Sequence, residues 1–145
     1  MARQSNHLPL VYSCSGCSSA AQTANTLALK LDRDGEAQMS CIAGVGADIP
    51  RFVRQATSGR PILALDGCPL ACVRESLKRH GVNPDRHLRL HEQGVKKRYG
   101  RDPEDADVQR IYPRVLALAR EIRPACDSRL PAALSGSDVT CGHRD

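Results

Sequence analysis

The sequence predicts one α/β domain in three layers, with helices on both faces of a four-stranded parallel sheet. Three observations predict this class. A chain of 145 residues suits one hydrophobic core. Aromatic residues make up 3% of the chain and hydrophobic residues 41%, so the core depends on small aliphatic side chains. A core of this kind is typical of folds in which helices pack on a sheet. Strand patterns alternate with helix patterns along the chain, which implies parallel strands joined by right-handed crossovers.

Four short segments carry the strand patterns. The clearest is residues 61–65, PILAL, because an unbroken apolar run is typical of a parallel strand covered on both faces. Residues 8–13 (LPLVYS) and 37–42 (AQMSCI) give the first and second strands, the second with poor alternation. Residues 86–91 (RHLRLH) alternate polar and apolar residues, which indicates an edge strand. The expected strand order is 2-1-3-4, the flavodoxin-like or Rossmann-like arrangement.

Helix patterns fill the segments between the strands and follow the last strand. Residues 19–31 place apolar side chains on one helical face, and a shorter helix is expected after Asp48, which can cap it. After the third strand, Pro69 suits the first position of the next helix, where its missing N–H costs nothing. A last amphipathic helix is predicted over residues 104–122, with Pro113 as a kink or as the start of its second half.

The domain is expected to cover residues 8–123. Pro, Ser, Gly and Ala dominate residues 124–145, which predicts a flexible tail. No apolar run is long enough for a membrane span, and the N-terminal residues lack the apolar region of a signal peptide. From these two absences we expect a cytoplasmic protein with no membrane partner.

Seven cysteines in a chain expected in a reducing compartment indicate metal binding or redox chemistry rather than a disulfide framework. Five of them follow the predicted carboxyl ends of three adjacent strands. Parallel sheets bind ligands beyond those ends, at the point where the strand order reverses. The fold therefore brings to one edge five thiols far apart in sequence: Cys14, Cys17, Cys41, Cys68 and Cys72.

Four stretches of the chain together resemble the DGC domain family. They are CSGCSSAAQTANTLALKLDRDG, MSCIAGVG, ILALDGCPLACV and GVKK, within residues 8–97. The family is named for its Asp-Gly-Cys motif, and zinc binding is attributed to it. The resemblance implies that the zinc ligands are Cys14, Cys41, Cys68 and Cys72, with Cys17 as a fifth, optional thiol. Nothing in the resemblance covers Cys126 or Cys141.

The residues leave three functions open. The first is zinc binding, for metal trafficking, sensing or an uncharacterised catalytic role. Four thiolates close a tetrahedral zinc shell, whereas three leave a position for a reactive water. The second is electron transfer through an iron–sulfur cluster, for which four thiolates are the usual ligands. The third is thiol oxidoreduction by Cys14 and Cys17, so whether the protein is an enzyme stays open.

Basic residues follow the fourth strand at Lys96, Lys97 and Arg98. They are candidates for binding an anionic ligand or an acidic protein partner, and the net charge of +5 permits both. The scarcity of aromatic side chains argues against nucleic acid.

Three further polar residues near the predicted strands have simpler interpretations. His87 and His91 are expected to be solvated on one face of the edge strand. Asp66 can cap the helix that follows the third strand, hydrogen-bond a sulfur or act as an acid–base group, and capping is the expected role.

Overall fold

The structure, a computed structural model, describes residues 6–125 and contains the predicted sheet. Its four strands are all parallel and lie in the order β2-β1-β3-β4, which confirms the predicted topology. Their bounds are β1 Leu10–Ser13, β2 Gln38–Met39, β3 Ile62–Asp66 and β4 Arg86–Arg89. Every residue of the two central strands, β1 and β3, is buried, as expected for strands covered on both faces.

Within residues 6–125, five α-helices lie between or after the strands. They are α1 Ser19–Arg33, α2 Ile42–Gly46, α3 Pro50–Ala56, α4 Cys72–Lys78 and α5 Asp105–Glu121. The longest two, α1 and α5, contact each other, and α2 contacts α3 and α4. Helix α5 continues through Pro113, and a 3₁₀ helix, Leu90–Gln93, follows β4. No helix within residues 6–125 is both long and apolar enough to cross a membrane.

The second strand is shorter than predicted. It covers two residues instead of residues 37–42, because the chain turns into α2 directly after Cys41. Asp48 does not cap α3; that position belongs to Ile49, and Asp48 has a positive φ of 60°. Its carboxylate instead pairs with Arg79 and His80 at the end of α4, at 2.9 and 3.1 Å.

The helix after β3 begins later than predicted. Pro69 lies in a turn that the Ala71 amide closes by donating to the Cys68 carbonyl at 3.2 Å, and α4 starts at Cys72. Ala71 has the left-handed conformation, with φ 50°. The fourth strand also ends early, at Arg89, so His91 lies in the 3₁₀ helix and does not share a strand face with His87.

The predicted boundaries of the domain, residues 8–123, and of its tail, residues 124–145, stay a prediction. Two of the seven cysteines, Cys126 and Cys141, lie outside the described residues.

Candidate functional site

The Asp-Gly-Cys turn lies directly after β3. The Asp66 side chain is 1% exposed and accepts hydrogen bonds from two amides of α4, those of Val73 at 2.9 Å and Arg74 at 3.3 Å. Asp66 therefore caps the following helix, as predicted, although it stands six residues before the first helical residue. Its two bonds hold the start of α4 against the carboxyl end of β3.

His87 also contacts Asp66, so the expectation that His87 is solvated is wrong. Its Nε2 lies 2.8 Å from Asp66 Oδ2, and its side chain is 17% exposed. In the β3–β4 register, His87 pairs with Ala64, two residues before Asp66 on the same face of the sheet. A diagonal cross-strand contact of this kind leaves no periodic signal in the sequence.

Gly67 brings the turn close to α1. A Cβ at this position would lie 2.6 Å from the Ala20 carbonyl carbon and 2.8 Å from the Ala21 nitrogen, distances that real Cβ atoms do not show. Only glycine permits this approach of backbone to backbone. The Gly67 amide also donates a hydrogen bond to Cys14 Sγ at 3.1 Å, which links the turn after β3 to the turn after β1.

Cys14 is the buried thiol of the site. Its side chain is 9% exposed, and its amide donates to the Leu65 carbonyl at 3.0 Å. Burial raises the pKa of Cys14 to about 11, because a thiolate there loses hydration. The hydrogen bond from Gly67 opposes that rise, and the negative charges of Asp66, Cys72 and Cys68 add to it.

The other described thiols are more accessible. Cys68 is half-buried, whereas Cys17, Cys41 and Cys72 are exposed, and all five described cysteines are free. Cys41 is the N-cap of α2, and its Sγ accepts from the Gly44 amide at 3.4 Å. The structure thus places all five in the segments that follow β1, β2 and β3, toward the carboxyl edge of the sheet, with Cys72 as the first residue of α4.

The chemistry of these donors suits zinc or an iron–sulfur cluster, since both take thiolate sulfur. Within residues 6–125, no three His, Cys, Asp or Glu side chains are grouped so as to hold a metal ion. The ligand roles of all five cysteines therefore stay a prediction.

The basic segment, residues 96–99, runs along the start of α1. The Ser19 hydroxyl donates to the Lys96 carbonyl at 3.1 Å and accepts from the Arg98 amide at 3.0 Å, and the Ser19 amide donates to the Arg98 carbonyl at 2.8 Å. The Lys97 ammonium lies 3.6 Å from Cys68 Sγ, beside the thiols. Hydrogen bonding to Tyr99, and then the interaction with Cys68, raises the pKa of Lys97.

Comparisons with known proteins place the site within a matched region. A family model described as DGC domain matches residues 10–115, which include the five cysteines of the sheet edge. The protein "Anaerobic and virulence modulator AnvM" of Pseudomonas aeruginosa is 65% identical over 105 residues, which cover 72% of this chain and 80% of that protein. No solved structure matches the chain.

Proposed function

This chain belongs to the DGC domain family, and we propose that it is a zinc-binding protein whose thiolate site lies on the carboxyl edge of its sheet. One observation carries the proposal: three neighbouring strands deliver five free thiols to one edge. The proposal assigns the zinc to Cys14, Cys41, Cys68 and Cys72. Cys17 is then a spare thiol that permits ligand exchange.

The described residues already provide much of what surrounds a thiolate site. The Gly67 amide donates to Cys14 Sγ, and hydrogen bonds of this kind orient and stabilise metal-bound sulfur. The Lys97 ammonium, 3.6 Å from Cys68, offsets part of the negative charge that several thiolates bring together. Asp66 fixes the turn between Cys68 and Cys72 by capping α4. Bound zinc would supply a positive charge that keeps the sulfurs deprotonated. The ion would also join the three loops that carry its ligands.

The environment of Cys14 argues against Cys14 as the nucleophile of the thiol oxidoreductase alternative. A nucleophilic thiol of a Cys-x-x-Cys motif is partly exposed and has a lowered pKa. Cys14 is buried, and its pKa is raised to about 11. In the proposed site it acts as a ligand, a role for which burial beneath the Gly67 turn is suitable.

The name of the relative concerns the role of the site rather than its ligand. That protein is called an anaerobic and virulence modulator. The name favours a regulatory role over catalysis, and we carry that role over to the present chain as part of the proposal. Free, partly exposed thiols need reducing conditions, so the proposal includes a cytoplasmic location.

Metal analysis with an optical spectrum, on full-length protein purified without oxygen, tests the proposal. We expect one zinc per chain and no visible absorption. Cys14→Ser, Cys41→Ser, Cys68→Ser and Cys72→Ser should each lower the zinc content. Cys17→Ser and Cys141→Ser are the matched controls and should retain it, with circular dichroism showing that each variant is folded.

Three outcomes would contradict the proposal. Bound iron with a brown colour would replace zinc with an iron–sulfur cluster. Metal-free protein with a readily formed disulfide between Cys14 and Cys17 would favour thiol oxidoreduction. A folded Cys72→Ser variant with a full complement of zinc would exclude the assigned ligand set.

A further inference from the structure

A cavity of about 470 Å³ lies on the other side of the basic segment from the thiols. The first two turns of α1 supply two buried hydroxyl residues, Ser19 and Thr23, and the buried Val95 supplies an apolar wall. Charged residues line the rest: Lys96, Arg98, Arg101, Asp102, Glu104 and Asp107. Its volume falls within the range of small-molecule sites, ~300–1,000 Å³.

Some of the charged side chains that line the cavity form ion pairs with other residues of the protein, and others do not. Arg98 pairs with Glu104 at 3.3 Å, and Asp107 pairs with Arg110 at 2.8 Å. The six charged lining residues balance, with three cations and three carboxylates. Among the described residues, two of the cations, Lys96 and Arg101, and one carboxylate, Asp102, have no ion-pair partner.

We propose that this cavity binds a small organic anion with one oxyanion group, a phosphate or a carboxylate. Arg101 offers a guanidinium fork that matches such oxygens, and Lys96 adds a second positive charge. A cationic ligand fits less well, because the carboxylates of Glu104 and Asp107 already have arginine partners. The wall formed by Val95 suits the organic part of the ligand.

The basic segment lies between this site and the thiols, and its side chains contact both. Lys96 and Arg98 line the cavity, whereas Lys97 contacts Cys68. Lys97 is consequently a matched control, since it has the same charge and lies on the same segment but faces away from the cavity.

Isothermal titration with inorganic phosphate and with phenyl phosphate, at an ionic strength held constant with chloride, tests this site in the full chain. We expect saturable binding, tighter for phenyl phosphate because its ring contacts the apolar wall. Lys96→Gln combined with Arg101→Gln should raise the Kd by about tenfold or more, since two charge-assisted contacts are lost. Lys97→Gln should leave the Kd within about twofold, as expected for a side chain that does not reach the ligand.

The zinc content of the same variants separates this site from the proposed metal site. The double variant should keep the metal content of the wild-type protein, whether or not that metal is zinc. Absence of saturable binding for both phosphates would overturn the anion site, even if the protein binds zinc as proposed. Equal weakening by Lys97→Gln and by the double variant would also overturn it, because that result indicates a diffuse positive charge rather than a built site.

Discussion

His87 Nε2 lies 2.8 Å from Asp66 Oδ2, a carboxylate that also receives the amides of Val73 and Arg74. One buried side chain thus joins β4 to the end of β3 and to the start of α4. The turn that carries Cys68 runs between these elements. The aspartate of the Asp-Gly-Cys motif consequently has a structural role that does not depend on any metal.

Asp66→Asn should destabilise the fold. The asparagine carboxamide has one acceptor oxygen in place of two, so either the Val73 amide, which bonds to Oδ1, or the Arg74 amide, which bonds to Oδ2, loses its acceptor. A loss of this kind costs about 1–3 kcal/mol, measurable as the free energy of unfolding in urea. His87→Ala should cost less, because both amides keep their acceptors. An equal loss in the two variants would show that the histidine, rather than the helix cap, is the important partner.

Gly67→Ala should destabilise the protein because the new methyl group meets the backbone of α1. The nearest atoms of Ala20 and Ala21 would lie 2.6–2.8 Å away, and a helix backbone cannot move aside as a flexible side chain can. Forcing such a contact costs about 1–3 kcal/mol. Gly16→Ala is the matched control, since its Cβ would lie 4.0 Å from the nearest atom, Ala21 Cβ. Thermal unfolding of both variants measures the difference, and equal midpoints would refute the close approach.

The sequence predicts the sheet well because its signals are local and strong. The aliphatic run of β3 predicts a buried strand, and the alternation of strand patterns with helix patterns along the chain predicts a parallel sheet. The same topology places the five cysteines on one edge. Tertiary contacts decide the details: Pro69 is a good local signal for a helix start, yet the bonds of Asp66 to Val73 and Arg74 fix the start at Cys72.

Other misses have a similar cause. The contact between His87 and Asp66 depends on the register of β3 and β4, which single-sequence patterns do not encode. The proximity of Lys97 to Cys68 depends on how residues 96–99 cross α1. A cysteine side chain caps α2 at Cys41, a position where sequence rules expect Ser, Thr, Asp or Asn.

Ala71→Gly should leave stability almost unchanged, although Ala71 is fully buried. Its left-handed φ of 50° costs an alanine roughly 1–2 kcal/mol that glycine avoids. Two effects oppose this gain and destabilise the variant. Glycine has greater freedom in the unfolded chain, which costs about 0.4–1 kcal/mol, and the lost methyl contact costs about 0.8 kcal/mol. Ala24→Gly, at a fully buried position within α1, has no strain to relieve and should lose about 1–2 kcal/mol. If Ala71→Gly and Ala24→Gly lowered the free energy of unfolding in urea by the same amount, Ala71 would not be strained.

Glu36 should make stability depend on pH. Its side chain is 17% exposed and contacts Arg120 at 2.8 Å and Arg123 at 2.9 Å, which joins the end of α1 to the end of α5. The hydrogen bond from Arg120, with the charges of both arginines, lowers the pKa of Glu36, and partial burial opposes this. Because the folded pKa is below the unfolded one, the stabilisation is complete above the unfolded pKa. It is lost as the pH falls through the folded pKa.

Glu36→Gln should therefore lower the free energy of unfolding near neutral pH by up to about 1 kcal/mol, a small value because the arginines are largely solvated. The difference from the wild-type protein should disappear in acid, below the folded pKa of Glu36. Urea unfolding across this pH range measures it. Glu121→Gln removes the exposed pair with Arg86 and should change stability little at any pH. A Glu36→Gln difference that persisted in acid would mean that packing, rather than charge, accounts for the contribution of Glu36.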